Sequence, residues 1–298
     1  MDQRTSSRNS RRGSLADLRR RSRPLLLVRA ADQPRWTHLS QGQRPHRFGG
    51  RLTQGAIAIG VPLNLDQSTL DLIHDGEIVS CQLTPAGSNY TFLAQLQLGD
   101  RQGLAIYKPR DGESPLWDFP SGTLYKREYA AFLLSEILGW DFIPYTTIRD
   151  GPYGIGTVQH YVDHDPKQNY YNLAEDKANE LRKIACFDLL ANSTDRKPNH
   201  LLVDGGGKLW SIDHGLTFHS DTKIRTVIWD FGGRRIAKSH LNAVRKLARQ
   251  LEAPEGRVQE LVDQLYPDEV TSLQRRVEWV LDEGKYPGLP GRARRRRY

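Results

Sequence analysis

The stretch ANSTDRKPNHLLVDGGGKLWSIDHGLTF (Ala191–Phe218) contains two aspartates, Asp195 and Asp213, that are 18 positions apart. Between them, the apolar segments HLLV and LWSI are separated by DGGGK, a pattern that predicts a β-hairpin. Each aspartate therefore flanks the hairpin at one of its ends. Two carboxylates in such positions are candidates for a site that handles protons or cations.

The composition indicates a globular chain without covalent crosslinks. The 298 residues are 38% hydrophobic and include 6 Trp, 12 Tyr and 8 Phe, which is enough for a sizeable core. Cys81 and Cys186 are the only cysteines, which excludes a disulfide framework and favours a reducing compartment. No apolar run approaches the roughly 18 residues of a membrane-spanning helix. We therefore expect a cytoplasmic protein with no transmembrane segment.

The net charge of +8 comes from the two ends of the chain. Residues 1–51 carry 13 Arg and 3 Asp, and residues 292–298 carry 5 Arg, which leaves a net charge of −7 for the middle. An acidic middle without a recognised DNA- or RNA-binding motif argues against a specific nucleic-acid partner. We expect a disordered basic tail over residues 1–50 and a basic C-terminal tail over residues 289–298.

The region between the tails is rich in strands first and in helices afterwards. Residues 63–162 contain a short helix that begins at Asp66 or Ser68, a longer helix that ends at Gly139, and several strand-like segments, namely GEIVSCQLT, NYTFLAQLQLG, GLAIYKPR, TTIRD and IGTVQHYVD. Residues 163–288 show helical periodicity except at the hairpin, in AEDKANELRKIACFDLLAN, SHLNAVRKLARQL and PDEVTSLQRRVEWVLDEG. This division predicts an α+β protein of two lobes. Trp117, Trp140 and Trp210 are expected in its core.

Four features of this region occur in a fixed order. A turn of small residues (86–89) lies between the first two strands, Lys108 ends the third strand, Glu128 lies on the next helix, and the aspartate pair follows. This order resembles the protein-kinase-like superfamily, and more closely its atypical branch of phosphatidylinositol 3-/4-kinases and HipA-type bacterial kinases. The closest similarity is to a family of actinobacterial kinase-like proteins, in YKPRDGESPLWDFPSGTL, RDGPYG, DRK with a following HLL, and IDHGLTFH.

The resemblance covers roughly residues 65–285 and implies a two-lobed kinase-like fold that binds ATP. Its N-lobe would hold an antiparallel sheet plus a helix (63–162), and its C-lobe would be mostly helical (163–288). Phosphoryl transfer requires that the protein hold the phosphates and neutralise their charge. Lys108 would reach the α- and β-phosphates, with Glu128 as its partner and Glu136 as the alternative partner. Further ATP-binding residues would be Gly87, Ser88 and Asn89 at the phosphates and Gln159, His160 and Tyr161 at the adenine.

The resemblance also implies the catalytic and metal-binding roles. Asp195 would orient the acceptor hydroxyl or accept its proton, and Arg196 and Lys197 would lie beside the developing phosphate charge. Asp213 would bind Mg²⁺, which prefers oxygen ligands. The superfamily usually has asparagine where this chain has His200, and Asn199 precedes it. Three alternatives follow: Asn199 is the second ligand, His200 is that ligand with a preference for Mn²⁺, or the site binds a single metal.

The leading interpretation is an ATP-dependent phosphotransferase, an atypical kinase that moves the γ-phosphate to a hydroxyl on a small molecule, lipid or protein. One alternative is a nucleotide-binding pseudokinase scaffold, which the histidine at position 200 favours. Another is an adenylyl transferase on the same fold. The sequence specifies neither the acceptor nor the oligomeric state.

Overall fold

The structure is a computed structural model that describes residues 65–288 except residues 86 and 174. The predicted tails over residues 1–50 and 289–298, and the first two residues of the predicted N-lobe, lie outside the described residues. Residue 86, which begins the predicted phosphate-binding turn, lies outside them as well.

The first lobe is built on a five-stranded antiparallel sheet with the strand order β1-β2-β3-β5-β4. Alternate residues of the second strand, Phe92, Ala94 and Leu96, are buried, which is the period-two pattern of a strand with one face on the core. The third strand pairs with the second and the fifth, and Lys108 lies opposite Thr157. The strands are β1 (Glu77–Leu83), β2 (Phe92–Leu98), β3 (Arg101–Pro109), β4 (Thr146–Gly151) and β5 (Gly154–His160).

Two helices accompany the sheet, α1 (Gln67–Asp75) and α2 (Leu124–Leu138). The carboxylate of Asp66 accepts a hydrogen bond of 2.8 Å from the backbone N–H of Thr69 and so caps α1. Helix α2 ends at Gly139, whose φ of 65° is the left-handed conformation in which glycine commonly terminates a helix. Buried residues occur on every side of α2, because it packs against the sheet as well as against the helices of the second lobe.

The second lobe is mostly helical. A two-stranded hairpin follows its first helix, and three helices close the lobe, with the third of them packing on the first two helices of the lobe. The elements are α3 (Ala178–Ala191), β6 (Leu201–Val203), β7 (Leu209–Ser211), α4 (Lys238–Glu252), α5 (Gly256–Val262) and α6 (Pro267–Glu283). Sequence reasoning missed α5, which has seven residues, begins at a glycine and has no side-chain cap.

The predicted α+β fold is confirmed, with an antiparallel sheet plus helices in the first lobe and a mostly helical second lobe. Trp140 and Trp210 are buried as expected, whereas Trp117 is 91% exposed, so its assignment to the core is wrong. Trp117 lies in the loop between β3 and α2, where the ammonium of Lys223 is 4.8 Å from the centre of its ring. Within the described residues, no helix combines the length and the apolar character that crossing a membrane requires.

Candidate active site

A cleft of about 340 Å³ is lined by the sheet and α2 on one side and by the hairpin region of the second lobe on the other. All the predicted nucleotide- and metal-binding residues lie along it, as does Asp195. These residues come from segments far apart in sequence, so the fold alone brings them together. The exception among the predicted site residues is Arg196.

The β1–β2 turn covers one part of this cleft. Gly87 has a φ of 107°, a conformation that side chains rarely adopt, so glycine is required there. The turn is tied to the chain after β3, because Asn89 Oδ1 accepts a 2.8 Å hydrogen bond from the backbone N–H of Ser114. The Ser114 hydroxyl in turn donates to the carbonyl of Ser88 at 2.5 Å. Gly87, Ser88 and Asn89 are thus held at the cleft by a segment outside the turn itself.

Lys108 connects the two sides of the cleft. Its ammonium donates to Glu128 Oε2 and to Asp213 Oδ1, both at 3.1 Å. The Glu128 side chain is 2% exposed, whereas that of Asp213 is 50% exposed. One buried and one accessible carboxylate therefore share a single lysine. The three groups together carry a net negative charge, and the accessible carboxylate of Asp213 exposes part of it to the cleft.

Mutual attraction keeps these three groups ionised. Burial alone would lower the pKa of Lys108, but Asp213 and Glu128 outweigh burial and raise that pKa. Burial would raise the pKa of Glu128, but Lys108 and a hydrogen bond from His214 hold it well below its usual range. The pKa of Asp213 is lowered mainly by Lys108. The cleft thus contains a charged lysine with two charged carboxylates at neutral pH.

The structure brings Glu128, and not Glu136, to Lys108. Glu128 Oε2 also accepts a 2.9 Å hydrogen bond from the backbone N–H of His214, which fixes the chain after Asp213 to α2. Glu136 lies two turns further along α2, and its Oε2 is 3.6 Å from Arg257 Nε. Burial raises the pKa of Glu136 to about 7. The alternative partner named from the sequence is therefore engaged elsewhere.

Helix α2 is also anchored to the second lobe next to Glu128. The guanidinium of Arg127 is 1% exposed and forms an ion pair with Glu269 on α6. It donates a further hydrogen bond of 2.9 Å to the carbonyl of Thr217. Sequence reasoning did not find Arg127, because an arginine within YKREYAA also fits an exposed helix face. Its buried pairing fixes the helix turn that carries Glu128.

Asp213 follows β7 and has a φ of 62°. This left-handed conformation is uncommon for residues other than glycine, and aspartate and asparagine tolerate it best. Asp213 Oδ2 lies 3.2 Å from His200 Nε2, so both oxygens of its carboxylate have partners. His200 is buried, and burial lowers its pKa to about 4. Asn199 is exposed at the same cleft.

Asp195 lies on the loop between α3 and the hairpin. Its side chain is 36% exposed, and its Oδ2 is 2.7 Å from Lys197 Nζ. The backbone on both sides of it is fixed, since Thr194 N–H donates to the carbonyl of Leu216 and Arg196 N–H donates to the carbonyl of Arg225. The loop that carries Asp195 is thus hydrogen-bonded to the chain that follows Asp213, and both aspartates line one cleft.

The prediction for Arg196 is wrong. Its side chain is 1% exposed and forms hydrogen bonds of 2.8 to 3.2 Å with both carboxylate oxygens of Asp188 on α3. Ser193 and Thr226 also donate to Asp188, each at 2.8 Å. Because the guanidinium is committed to this buried cluster, it does not line the cleft. The cation of this loop that does line it is Lys197.

Asp188 was missed from the sequence, although a signal was present. It is a fully buried carboxylate in the apolar run CFDLLA. A buried charge is almost always paired, so such a residue indicates a structural ion pair. The sequence did not indicate which arginine pairs with it.

The residues predicted at the adenine end of the cleft belong to β5 and the residues after it. Gln159 is buried, and its amide donates to Thr146 Oγ1 at 2.8 Å, which fixes the side chain within the sheet. The backbone N–H groups of His160 and Tyr161 donate to the carbonyls of Tyr145 and Leu104. These residues line the cleft where the chain passes from the sheet to the second lobe.

Within the described residues, no three His, Cys, Asp or Glu side chains form a group arranged to hold a metal ion. The accessible oxygen groups at the cleft include the carboxylates of Asp213 and Asp195 and the amide of Asn199. Mg²⁺ is commonly bound by one or two protein carboxylates together with substrate phosphates. The donors at this cleft fit a cation of that kind better than a metal held by protein ligands alone.

The chain is similar in sequence to a mycobacterial protein. No family model matches the chain. Protein Rv2133c of Mycobacterium tuberculosis is 36% identical over 267 residues, which are 78% of this chain and 95% of that protein.

Three solved structures resemble the fold at low identity. The Golgi casein kinase aligns with a TM-score of 0.43 at 17% identity over 73% of this chain and 76% of its own. Its structure with Mn/ADP bound aligns with a TM-score of 0.45 at the same identity and coverage. The Helicobacter pylori proinflammatory kinase CtkA aligns with a TM-score of 0.42 at 12% identity over 70% of this chain and 95% of its own.

Proposed function

The chain belongs to the same family as protein Rv2133c of Mycobacterium tuberculosis, and we propose that it is an ATP-dependent phosphotransferase, an atypical kinase. The observation that carries the proposal is the position of Lys108, whose ammonium is 3.1 Å from both Glu128 and Asp213 at a cleft that Asp195 also lines. A lysine aimed by a helix carboxylate and placed beside a metal-binding aspartate is the arrangement that kinases use to hold ATP.

In this proposal the first lobe binds the nucleotide. The backbone amides of Gly87, Ser88 and Asn89 approach the phosphates. Lys108 neutralises the α- and β-phosphates, and Glu128 keeps its ammonium in place. The base lies against the segment of Gln159, His160 and Tyr161, which also lines the cleft.

Metal binding is assigned to oxygen donors of the second lobe. Asp213 has an accessible carboxylate at the cleft, and Asn199 provides a nearby amide oxygen. Bound Mg²⁺ would neutralise part of the phosphate charge that develops during transfer. Asp213 would keep its contact with Lys108, so the lysine and the metal-binding carboxylate would stay next to each other.

Asp195 is the proposed catalytic residue of the second lobe. Its carboxylate orients the acceptor hydroxyl and accepts its proton. The hydroxyl oxygen bonds to the γ-phosphorus, the bond between that phosphorus and the β,γ-bridging oxygen breaks, and ADP leaves. Lys197, which is 2.7 Å from Asp195, is the cation beside the transferred phosphoryl group in place of Arg196.

The finer class of kinase remains an assignment from sequence motifs. Similarity to the phosphatidylinositol 3-/4-kinases and HipA-type kinases rests on the order of Lys108, Glu128, Asp195 and Asp213. The proposal therefore specifies ATP, a divalent metal and a hydroxyl acceptor, and fold similarity alone does not fix the acceptor.

The test is transfer from labelled ATP. The full chain is incubated with a bacterial lysate, Mg²⁺ or Mn²⁺, and ATP labelled at either the α- or the γ-phosphate. Transfer of the γ-label that Lys108→Met and Asp195→Asn abolish supports the proposal. Lys126→Met, which removes a lysine of α2 outside the cleft, is the matched control and should retain transfer. Transfer of the α-label would indicate an adenylyl transferase instead, and nucleotide binding without transfer would indicate a pseudokinase.

A further inference from the structure

Each of the two ring nitrogens of His200 lies close to one partner. Nδ1 lies 3.4 Å from the backbone nitrogen of Lys197, whose N–H can only donate. Nε2 lies 3.2 Å from Asp213 Oδ2, which as an ionised carboxylate oxygen can only accept. Because the N–H of Lys197 can only donate, its hydrogen bond to Nδ1 decides where the proton of a neutral imidazole is.

Nδ1 accepts and therefore carries no proton. The single proton of a neutral ring is therefore on Nε2, which lies 3.2 Å from Asp213 Oδ2. The lone pair of Nδ1 is used by Lys197, and Nε2 has no free lone pair. In this tautomer neither nitrogen is available to a metal ion.

We propose that His200 is a positioning residue, which holds the carboxylate of Asp213 by the electrostatic contact of its Nε2–H with Oδ2, and that it is not a metal ligand. This inference rests on the proposed function for its consequence, because Asp213 is the proposed metal-binding residue. Asn199 is then the residue of this loop that can offer a second oxygen ligand. Because the imidazole would supply no ligand, the site would keep the metal preference of a site that has oxygen ligands only.

The local structure explains why histidine is held in this state. The 3₁₀ turn Pro198–His200 follows Lys197 directly, and the N–H of Lys197 finds its acceptor in Nδ1 of the same turn. Rotation of the ring to aim Nδ1 at a metal would leave this N–H without its partner. The side chain is 6% exposed, and an unpaired polar group in such a place is unfavourable.

Asp213 gains its orientation from two sides. Lys108 donates to Oδ1 and His200 Nε2 lies 3.2 Å from Oδ2, so each oxygen of the carboxylate has a partner while half of the side chain stays exposed. Partners that orient a metal-binding carboxylate typically change metal affinity by about 10- to 100-fold when removed. They do so without changing which metal is preferred, because they supply no ligand.

The first experiment observes the tautomer directly in the full chain. Long-range proton–nitrogen spectra of ¹⁵N-histidine-labelled protein are recorded without metal, and the His200 signals are assigned by their loss in His200→Gln. We expect a protonated Nε2 and an unprotonated Nδ1, and the same pattern after addition of Mg²⁺ and ATP. A protonated Nδ1, a doubly protonated ring, or loss of the Nε2 proton on addition of Mg²⁺ and ATP would overturn the proposal.

The second experiment measures calorimetrically how ATP binds with Mg²⁺ and with Mn²⁺. His200→Ala should weaken both metal-dependent affinities by the same factor, about 10- to 100-fold. His200→Gln should recover most of the loss, because its amide N–H reaches about as far as Nε2. Asn199→Ala should reduce the affinity with both metals, while His200→Ala should leave the ratio of the two unchanged. A changed ratio in His200→Ala would mean that the imidazole is a ligand.

The two experiments separate this inference from the proposed function. If the wild-type chain binds no ATP with either metal, the proposed kinase function fails, and the spectra still decide whether the nitrogen of His200 that lies near Asp213 carries the proton. If ATP binds and is used but the spectra show a free or metal-bound Nε2, the function stands and the positioning role fails. A similar melting temperature for wild type and His200→Gln without metal confirms that the comparison is between folded proteins.

Discussion

The guanidinium of Arg196 lies against the carboxylate of Asp188, with Nη2 2.8 Å from Oδ1 and neither side chain more than 1% exposed. Arg196 is next to Asp195, so this buried pair fixes the middle of the loop that carries the proposed catalytic carboxylate. Ser193 and Thr226 complete the hydrogen bonds of Asp188. Arg196, the arginine of the DRK motif, therefore stabilises the loop that carries Asp195 and does not line the cleft.

We expect Asp188→Asn to destabilise the protein severely. The variant would leave the Arg196 guanidinium buried without a counter-charge, which typically costs about 3–5 kcal/mol. Denaturant unfolding monitored by circular dichroism gives the change in free energy. Asp195→Asn is the control, because its side chain is partly exposed and its pairing with Lys197 contributes little. Equal stabilities of the two variants would contradict the assigned role of the buried pair.

A second prediction separates stability from transfer at Lys108. Lys108→Met should lower the free energy of unfolding by about 1–3 kcal/mol, because Glu128 would remain buried and charged without its cation. Adding Glu128→Gln should restore part of that stability, since the amide oxygen can still accept from His214 N–H. Neither variant should transfer phosphate. Transfer by the double variant would show that the ammonium is not needed.

Substitution of Asp195 and substitution of Asp213 should impair different steps, transfer in the first case and metal-dependent ATP binding in the second. Asp195→Asn should keep metal-dependent ATP binding and reduce transfer by about 10²- to 10⁴-fold, because only acceptor positioning and proton acceptance are removed. Asp213→Asn should lose most metal-dependent binding, since a neutral amide holds a divalent cation weakly. Asparagine is the appropriate replacement there because it tolerates the φ of 62°. Calorimetric titrations combined with γ-label transfer measure both properties, and identical losses in the two variants would contradict the division of roles.

The raised pKa of Glu136 predicts that the free energy of unfolding depends on pH. Burial raises its pKa from 4.5 to about 7 in the folded state, so the folded state binds more protons than the unfolded state between these values. Stability contributed at this site is therefore present below about pH 4.5 and is lost as the pH rises to about 7. Glu136→Gln should match wild type near pH 4.5 and exceed it by about 1–3 kcal/mol above about pH 8.

The control for this measurement is Glu278→Gln on the exposed face of α6, which makes the same substitution without changing a buried group. Arg257 keeps Glu260 as a partner at 2.7 Å in the Glu136 variant, so no new unpaired cation is created. If the difference between Glu136→Gln and wild type stayed constant with pH, the carboxyl group would not be titrating in this range.

Much of the fold could be predicted from the sequence because the patterns that indicate its helices, strands and turns are local. Alternation in β2, the left-handed cap at Gly139 and the apolar runs that flank DGGGK each depend on residues a few positions apart. Local preferences of this kind act before any tertiary contact forms. Helix α5 is the exception, since seven residues without a polar cap give too weak a signal.

The sequence by itself determined the order of strands, helices and candidate groups, and thereby that Lys108, Glu128, Asp195 and Asp213 could belong to one cleft. Only the tertiary structure decided that Lys108 pairs with Glu128 and not with Glu136, and that Arg196 faces Asp188 while Lys197 faces the cleft. It alone placed Trp117 in solvent and gave each nitrogen of His200 a partner. These outcomes depend on which groups are buried together, because a charge removed from water needs a partner from wherever the fold brings one. Spacing along the chain does not encode that choice.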